Sequence, residues 1–303
     1  MNEPPNRNIP RGDSGEKPQG RPEAARSPDG DTLGRRELLR SGLVGVSAFL
    51  AGCSDNSGST TTGASSGPDR QVQLIGHRGC ADQYPENTIL AAERSAPHVD
   101  MIEFDVQRCG SGELVVFHDD ELSRLTDATG SVSTTDWDRL RQLTILDSAE
   151  QIPRFEEFLA AVPADTAVNI ELKHAGMADE VVSAADACDN EVLVSSFRSA
   201  ALREVRDRSD TIDLAFLIYE NPPEGRSVAA EMDCVAVNPS VEVALETEII
   251  DSAHEQGLEV NVWTVEDAET ARTLVDGGAD GLFVNRWDLL EDQGSPDSPT
   301  ATN

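Results

Sequence analysis

Short apolar runs of strand length alternate with helix-forming patterns through most of this 303-residue chain. This alternation constrains the fold most, because strands that alternate with helices form parallel sheets covered by helices. Eight such runs fall within about 220 residues, a size typical of a (β/α)₈ TIM barrel. An open, doubly wound sheet is the alternative that uses the same pattern. The strand-like runs are 72–75, 101–107, 167–173, 192–196, 212–217, 234–238, 258–264 and 279–284.

The second strand-like run continues into a hairpin instead of a crossover helix. Residues 109–112 form a turn cluster too short to hold a helix, and 114–117 is another strand-like run. A small β-hairpin therefore extends the second barrel strand, and folding it back brings His118 near Glu103. Helical patterns follow most of the other runs, and the weakest of them covers 219–230. The clearest are 88–96, 179–187, 247–256 and 266–276.

The chain is strongly acidic, with 56 Asp and Glu residues against 24 Lys and Arg residues and a formal net charge of -32. Such a surface repels nucleic acid, and the sequence shows no basic patch or RNA-binding motif, so we expect no nucleic-acid partner. The acidic excess is spread along the whole chain. This distribution favours adaptation to molar salt, where the Debye length falls to about 3 Å and self-repulsion is screened.

The N-terminal part predicts export. Residues 1–33 lack apolar periodicity and are typical of disorder. Arg35 and Arg36 precede an apolar run, 42–51, that is too short to span a bilayer, and this order resembles a twin-arginine export signal. Residues 50–53 resemble a lipobox, which predicts a lipid anchor on Cys53 at the outer face of the cytoplasmic membrane. We therefore expect a leader with a signal at 1–52, a Ser/Thr/Gly tether at 53–69, a barrel domain at 70–290 and a disordered tail at 291–303.

Three acidic residues lie inside otherwise apolar strand-like runs. Glu103 and Asp105 are two positions apart, so both side chains point to one face of their strand, and Glu171 repeats the pattern on the next barrel strand. Carboxylates directed into a barrel interior are costly unless a cation neutralises them. An all-oxygen ligand set suits Mg²⁺ or Ca²⁺ better than a soft metal. The pattern therefore predicts one divalent cation held by these three side chains.

A polar loop, residues 76–88, follows the first strand-like run. His77 can move a proton near neutral pH, and Arg78 can hold an anionic oxygen with its planar guanidinium. Loops at the carboxyl ends of barrel strands carry the chemistry of barrel enzymes. His77 and His118 form a candidate acid–base pair, in which one accepts a proton from the attacking hydroxyl and the other donates one to the leaving oxygen.

Two further residues are candidates for substrate binding. The chain contains two lysines, Lys17 in the leader and Lys173 at the carboxyl end of a barrel strand. The ammonium of Lys173 could hold a phosphate oxygen. Trp263, on the seventh barrel strand, could form an apolar wall for a glycerol or a headgroup, or could belong to the core. The predicted loops near the barrel mouth carry little apolar sequence, which favours a soluble substrate over a membrane lipid.

The five cysteines fit no zinc-binding motif. Cys80 and Cys109 both fall in loops predicted on one face, so a disulfide between them is conceivable, but free thiols are the expectation. The others are Cys53, Cys188 and Cys234.

Several short motifs together resemble the glycerophosphodiester phosphodiesterase family. Each motif alone is weakly specific, but their joint order and spacing are highly specific, and the resemblance runs from about residue 72 to 287. The motifs are His77-Arg78-Gly79, Pro85-Glu86-Asn87-Thr88, Glu103-Phe104-Asp105-Val106, His118-Asp119, Arg124-Leu125-Thr126, Glu171-Leu172-Lys173 and Val262-Trp263-Thr264.

The resemblance implies a (β/α)₈ barrel that binds one divalent cation and hydrolyses a glycerophosphodiester to glycerol phosphate and an alcohol. In the family, a hydroxyl of the substrate's own glycerol is thought to attack phosphorus, giving a cyclic phosphate that water then opens. Carried over by position, the acid–base pair is His77 and His118, the phosphate ligands are Arg78 and Lys173, and the metal ligands are Glu103, Asp105 and Glu171.

Larger members of that family carry a sizeable insertion after the His-Asp motif. Here residues 119–151 leave room only for a small cap. A non-catalytic cell-surface lipoprotein that binds phosphodiesters or a protein partner is the alternative function. Such a binding module has no need for two proton-transfer groups, so the two histidines favour the enzyme. The oligomeric state does not follow from the sequence.

Overall fold

A computed structural model of the protein describes residues 72–290. The predicted leader, tether and tail, and with them Cys53, lie outside the described residues. Within 72–290, every helix is too short or too polar to cross a bilayer. The strands are β1 (Gln73–Gly76), β2 (Met101–Arg108), β3 (Leu114–Val116), β4 (Ala167–Leu172), β5 (Val192–Ser196), β6 (Asp213–Ile218), β7 (Ala236–Pro239), β8 (Glu259–Val265) and β9 (Gly281–Val284).

Eight of these strands close into a parallel barrel. β1 pairs with β2 on one side and with β9 on the other, and β4 to β9 fill the circuit in chain order. β3 stands outside this circuit, because it pairs antiparallel with β2 alone. The predicted (β/α)₈ barrel with a small hairpin after its second strand is confirmed, and the open sheet is excluded.

The helices of the described residues follow the predicted patterns with small shifts at their ends. The weakly predicted connection after β6 is helical, and prolines in its first turn suit a helix start because their missing N–H groups would have no partner there. The helices are α1 (Ile89–Ser95), α2 (Trp137–Leu140), α3 (Phe155–Ala161), α4 (Ala178–Ala187), α5 (Ser199–Arg208), α6 (Pro222–Glu231), α7 (Val241–Glu246), α8 (Ile249–His254) and α9 (Ala268–Asp276).

The main core lies between the barrel and its helices. Ile102, Phe104 and Val106 alternate along β2 with the acidic positions, and all three are fully buried among helix side chains. The ring of Phe104 packs on Phe158 of α3, with 4.4 Å between the ring centroids. This outward apolar face fixes the register of β2, because a slip of one residue would move its carboxylates into the helix layer.

Residues 119–151 form a small cap beside β3, as predicted. Its apolar side chains make a separate buried cluster that includes Leu122, Leu140 and Ile145. The cap therefore has its own core, which holds the segment after His118 in a defined position. All four cysteines of the described residues are free, so Cys80 and Cys109 do not form a disulfide.

Candidate active site

The predicted site residues meet at the carboxyl ends of the barrel strands. His77 and Arg78 follow β1, His118 follows β3, and Lys173 follows β4. A cleft of about 140 Å³ opens there. Of the predicted residues it is lined by His77, Arg78, Glu103, His118, Glu171 and Trp263. Asp105 and Lys173 complete the group through their contacts with Glu171 and Arg78.

The three predicted carboxylates form one buried cluster. Glu103, Asp105 and Glu171 are 2%, 0% and 8% exposed, and one oxygen from each lies within 4.8 Å of the others. The barrel register produces this arrangement, because Asp105 on β2 lies directly beside Glu171 on β4. The alternation of inward and outward side chains along β2 and β4 thus brings three carboxylates together.

The electrostatics of this cluster fit a bound cation. Burial, together with the nearby charges of Asp105 and Glu171, raises the pKa of Glu103 well above its ordinary value. Burial and Asp105 raise the pKa of Glu171 to about 7. One carboxylate oxygen of Glu103, Oε1, is buried and accepts no hydrogen bond from the described residues. An uncompensated buried carboxylate oxygen is costly, and a hard divalent cation supplies the missing charge and ligand contact.

Lys173 supplies one positive charge beside the cluster. Its Nζ donates to Glu171 Oε1 at 2.7 Å and to Asp105 Oδ1 at 3.1 Å. Burial alone would lower the pKa of Lys173, but the two carboxylates outweigh burial and raise it. Burial alone would likewise raise the pKa of Asp105, but Lys173 and Arg78 hold it below its usual range. Asp105 and Lys173 are therefore both charged, and the prediction that Lys173 shares the inward face of Glu171 is confirmed.

Arg78 is held by a tight turn at the end of β1. Its backbone has φ 51°, and its N–H donates to Glu103 Oε2 at 2.8 Å. Gly79 follows at φ 73°, where a Cβ atom would lie 2.8 Å from the Cβ of Ala91 in α1. Only glycine fits this backbone conformation and this close approach to the helix. The guanidinium donates to Glu86 at 2.8 Å and lies 3.5 Å from Asp105.

His77 carries its ring at the cleft wall. Its Nδ1 donates to Asn285 Oδ1 at 2.8 Å, which leaves Nε2 directed to the side of Glu103, 4.0 Å from Oε2. Burial, with the charge of Arg78 as the next contribution, lowers the pKa of His77 to about 4. The imidazole is therefore neutral at physiological pH, with Nε2 free to accept a proton.

His118 is oriented from behind by a carboxylate. Its Nδ1 donates to Asp119 Oδ1 at 2.6 Å, so Nε2 is the nitrogen available on the opposite side of the ring. Burial is the main cause that lowers the pKa of His118, and Lys173 adds to it, while Asp105 and the hydrogen bond to Asp119 oppose them. The hydrogen bond from Arg124 lowers the pKa of Asp119 to about 2, so Asp119 stays ionised.

A chain of ion pairs links the two histidine loops. Arg124 in the cap donates to Asp119 and to Glu86, and Glu86 also accepts from Arg78. Glu86 is buried, and its pKa is low because the hydrogen bonds and charges of the two arginines outweigh burial. Sequence reasoning quoted Glu86, Asp119 and Arg124 within motifs but assigned them no role. The sequence signal that could have identified them is their position within those motifs, because none of them belongs to a periodic pattern.

Asn87 is a second supporting residue that sequence reasoning missed. Its Nδ2 donates to Asp105 Oδ2 at 2.8 Å, and its Oδ1 accepts from the backbone N–H of Asp105 at 3.2 Å. This pair of bonds locks one carboxylate of the cluster in a single orientation. Asn87 has φ 60°, a conformation that Asn tolerates better than most residues.

Aromatic rings form the opposite side of the cleft. The indole N–H of Trp263 donates to the carbonyl of Asn238 at 2.7 Å, which fixes the ring against β7. Phe197 meets Trp263 edge to face with 5.3 Å between centroids, and Tyr219 stacks on it at 6.2 Å. Phe197 and Tyr219 follow β5 and β6, and the sequence analysis did not select either. Trp263 lines the cleft as predicted and also packs on the apolar residues inside the barrel.

The role of Asp119 is testable by titration of His118. We expect Asp119→Asn to lower the pKa of His118 further, because the neutral amide no longer favours the imidazolium. NMR titration of the histidine ring signals measures this pKa. Asp120→Asn is the matched control, since Asp120 contacts His174 at 3.3 Å. A His118 pKa equal to that of the wild type in Asp119→Asn would contradict the assignment.

Comparison with known proteins identifies relatives of this chain. Residues 77–289 match the glycerophosphoryl diester phosphodiesterase family. A probable glycerophosphodiester phosphodiesterase of Mycobacterium tuberculosis is 32% identical over 238 residues, which cover 72% of this chain and 89% of that protein. A glycerophosphodiester phosphodiesterase of Caldanaerobacter subterraneus is 28% identical over 232 residues, covering 72% of this chain and 95% of the relative.

A solved structure has the same fold. A phosphodiesterase of Oleispira antarctica, in complex with the product sn-glycerol-3-phosphate, superposes with a TM-score of 0.67 at 26% identity. The match covers 72% of this chain and 95% of that protein. Barrel, motif order and matched range agree, and the chain belongs to the glycerophosphoryl diester phosphodiesterase family.

Proposed function

We propose that this protein hydrolyses glycerophosphodiesters to glycerol phosphate and an alcohol, with one divalent cation, Mg²⁺ or Ca²⁺, in the carboxylate cluster. Membership of the family makes the chain a phosphoric diester hydrolase. The observation that carries the finer proposal is one cleft that is lined by His77, by His118 and by two carboxylates of the buried cluster.

Glu103, Asp105 and Glu171 would hold the cation. Bound there, it supplies positive charge for a phosphoryl oxygen and lowers the pKa of a hydroxyl beside it. Asn87 keeps Asp105 in its ligand orientation, and the two cations that contact Asp105, Lys173 and Arg78, offset part of the negative charge of the three carboxylates.

Arg78 and Lys173 are the proposed phosphate ligands. Both are charged, both contact Asp105, and both are only 15% exposed in their side chains. A partly desolvated cation beside the cleft stabilises the negative charge that develops on the phosphoryl oxygens in the transition state. Glu86 holds the Arg78 guanidinium in place, so its orientation requires no rearrangement when substrate arrives.

The histidines move the protons. Neutral His77 accepts at Nε2 the proton of a glycerol hydroxyl as that oxygen bonds to phosphorus, and the bond from phosphorus to the second alcohol breaks. His118, whose imidazolium is favoured by Asp119 and by the arriving phosphodiester anion, donates its Nε2 proton to the departing oxygen. Water then opens the cyclic phosphate with the two roles reversed, which restores both histidines.

The histidine roles are tested by single substitutions. We expect His77→Ala and His118→Ala each to lower kcat by about 10²-fold or more, since each removes a positioned proton-transfer group. The measurement is release of glycerol phosphate from glycerophosphoglycerol in high salt. His174→Ala is the matched control, because His174 is exposed and pairs only with Asp120 among the described residues. Rates near that of the wild type in either variant would refute the assignment.

Substitution of Lys173 distinguishes a catalytic role of this residue from a structural one. We expect Lys173→Met to leave the fold intact and to lower kcat/KM by about 10²-fold or more, the scale of one lost transition-state charge partner. Lys173→Arg should restore only part of the activity, because the planar guanidinium differs in shape from an ammonium. A variant with a lower melting temperature but normal turnover when folded would show that Lys173 only stabilises the carboxylates.

We also propose that the protein is exported and anchored by a lipid on Cys53. The support is the order of Arg35, Arg36, the apolar run and the lipobox-like residues in the sequence. Cys53→Ser should release the exported protein from the membrane fraction, because the acyl anchor is lost. Arg35→Lys combined with Arg36→Lys should retain it inside the cell. Cys188→Ser is the control, and membrane attachment of Cys53→Ser equal to this control would refute the anchor.

A further inference from the structure

Two of the four large apolar side chains exposed among residues 72–290 lie against Trp263 at the cleft mouth. They are Phe197 and Tyr219, which are 39% and 68% exposed and follow two consecutive barrel strands, β5 and β6. The other two are Leu245 on α7 and Leu146 in the cap. Singly exposed apolar residues are ordinary, but a run of them beside a cleft marks a binding surface.

These side chains continue the apolar wall of the cleft outward. Phe283 and Leu217 line the cleft and are almost fully buried, and Trp263 and Phe197 line it nearer the solvent. Tyr219 stacks on Trp263 and is the most exposed of the group. The apolar residues of the cleft thus range from nearly buried positions, Phe283 and Leu217, to exposed ones, Phe197 and Tyr219.

Helix α7 begins beside this aromatic wall, because its N-cap residue, Ser240, pairs with Trp263 in a parallel bridge. We call Phe197, Tyr219 and Trp263 the apolar rim.

The two sides of the cleft suit the two ends of a phosphodiester. Glycerol carries hydroxyls that need hydrogen-bond partners, and the ionic side with His77, His118 and the carboxylates offers them. The second alcohol then lies against the apolar side. An apolar alcohol would remove these side chains from water, which a small polar headgroup does not do.

We propose that the cleft takes glycerophosphodiesters whose second alcohol is an uncharged apolar chain, bound along the apolar rim. The inference rests on the proposed hydrolysis and adds the class of alcohol. The sequence analysis expected little apolar surface at the mouth, because each of these residues stands alone in its loop and only the barrel brings them together.

An ammonium headgroup is the competing occupant of the aromatic rings, and the lining of the cleft favours the uncharged chain. The carboxylates that line the cleft, Glu103 and Glu171, both belong to the ionic side. Leu217 on the apolar side gives an ammonium no cation–π contact, whereas it covers an apolar chain as well as a ring does. Outside the cleft, the exposed charged neighbours of the rings, Arg198 after Phe197 and Glu220 after Tyr219, have opposite signs and favour neither occupant.

The test compares two substrates, the methanol and n-octanol esters of glycerol phosphate, below the concentration at which the octyl ester aggregates. A fully buried methylene raises kcat/KM about fourfold, from about 0.8 kcal/mol each. Since the rim covers a chain on one side only, we expect the octyl ester to exceed the methyl ester in kcat/KM by about tenfold or more. Release of glycerol phosphate is measured for both.

Substitutions in the apolar rim test whether the rim causes the higher kcat/KM of the octyl ester. Tyr219→Ser and Phe197→Ser should each reduce the octyl-to-methyl ratio of kcat/KM by about threefold or more, as expected for a loss of roughly one buried methylene contact. Leu146→Ser, at an apolar position in the cap that is 53% exposed, should leave the ratio unchanged. Tyr219 is mostly exposed, so its variant is expected to fold, and melting temperatures verify this.

The outcomes are distinct. A ratio near one, with the methyl ester hydrolysed, overturns the inference and leaves the proposed hydrolysis intact. Hydrolysis of neither ester overturns both. If a choline ester is preferred several-fold over its neutral 3,3-dimethylbutyl analogue, the rim binds a cation. If the octyl ester gains in kcat/KM only above its aggregation concentration, the protein adsorbs to a lipid surface. Either result contradicts the inference.

Discussion

The burial of three carboxylates at one point of the barrel is the constraint on which the rest of the site depends. Glu103, Asp105 and Glu171 are held there by the register of two adjacent strands, and the apolar residues between them prevent that register from slipping. Their mutual repulsion is costly without positive charge. Lys173 and Arg78 offset part of it, and a divalent cation is the ligand whose charge and coordination offset the remainder.

The surrounding ion pairs extend this charge balance across the cleft. Arg78 touches both Asp105 and Glu86, and Glu86 in turn holds Arg124 of the cap. Arg124 then keeps Asp119 ionised behind His118. One connected network thus places Arg78 and His118 relative to the carboxylates. The cap contributes Arg124 to this network, and the buried cluster of the cap holds that segment in place.

The barrel, the hairpin and the inward carboxylates follow from the sequence because they rest on periodicity. Alternation along a strand determines which side chains point inward, so Glu103, Asp105 and Glu171 could be grouped from the sequence alone. Residues that act through long-range contact have no such pattern. Glu86 is separated from Arg124 by 38 positions, and only the cap's own core brings the two together.

The apolar rim escaped sequence analysis for a related reason. Phe197 and Tyr219 are single aromatic residues in different loops, and a lone apolar residue in a loop has no local signal of its position. Closure of the barrel brings both loops to Trp263. The apolar rim is therefore formed by tertiary contacts, whereas the residues of the ionic side lie in strand patterns and motifs.

Metal titration of chelator-treated protein measures whether the buried carboxylates hold a catalytic cation. Calorimetry would follow binding of Mg²⁺ and of Ca²⁺, with glycerol phosphate release followed in parallel. We expect one cation bound per chain, activity that rises in step with occupancy, and loss of both in Asp105→Asn while the fold is retained. Full activity in a metal-free preparation would contradict a catalytic role for the cation.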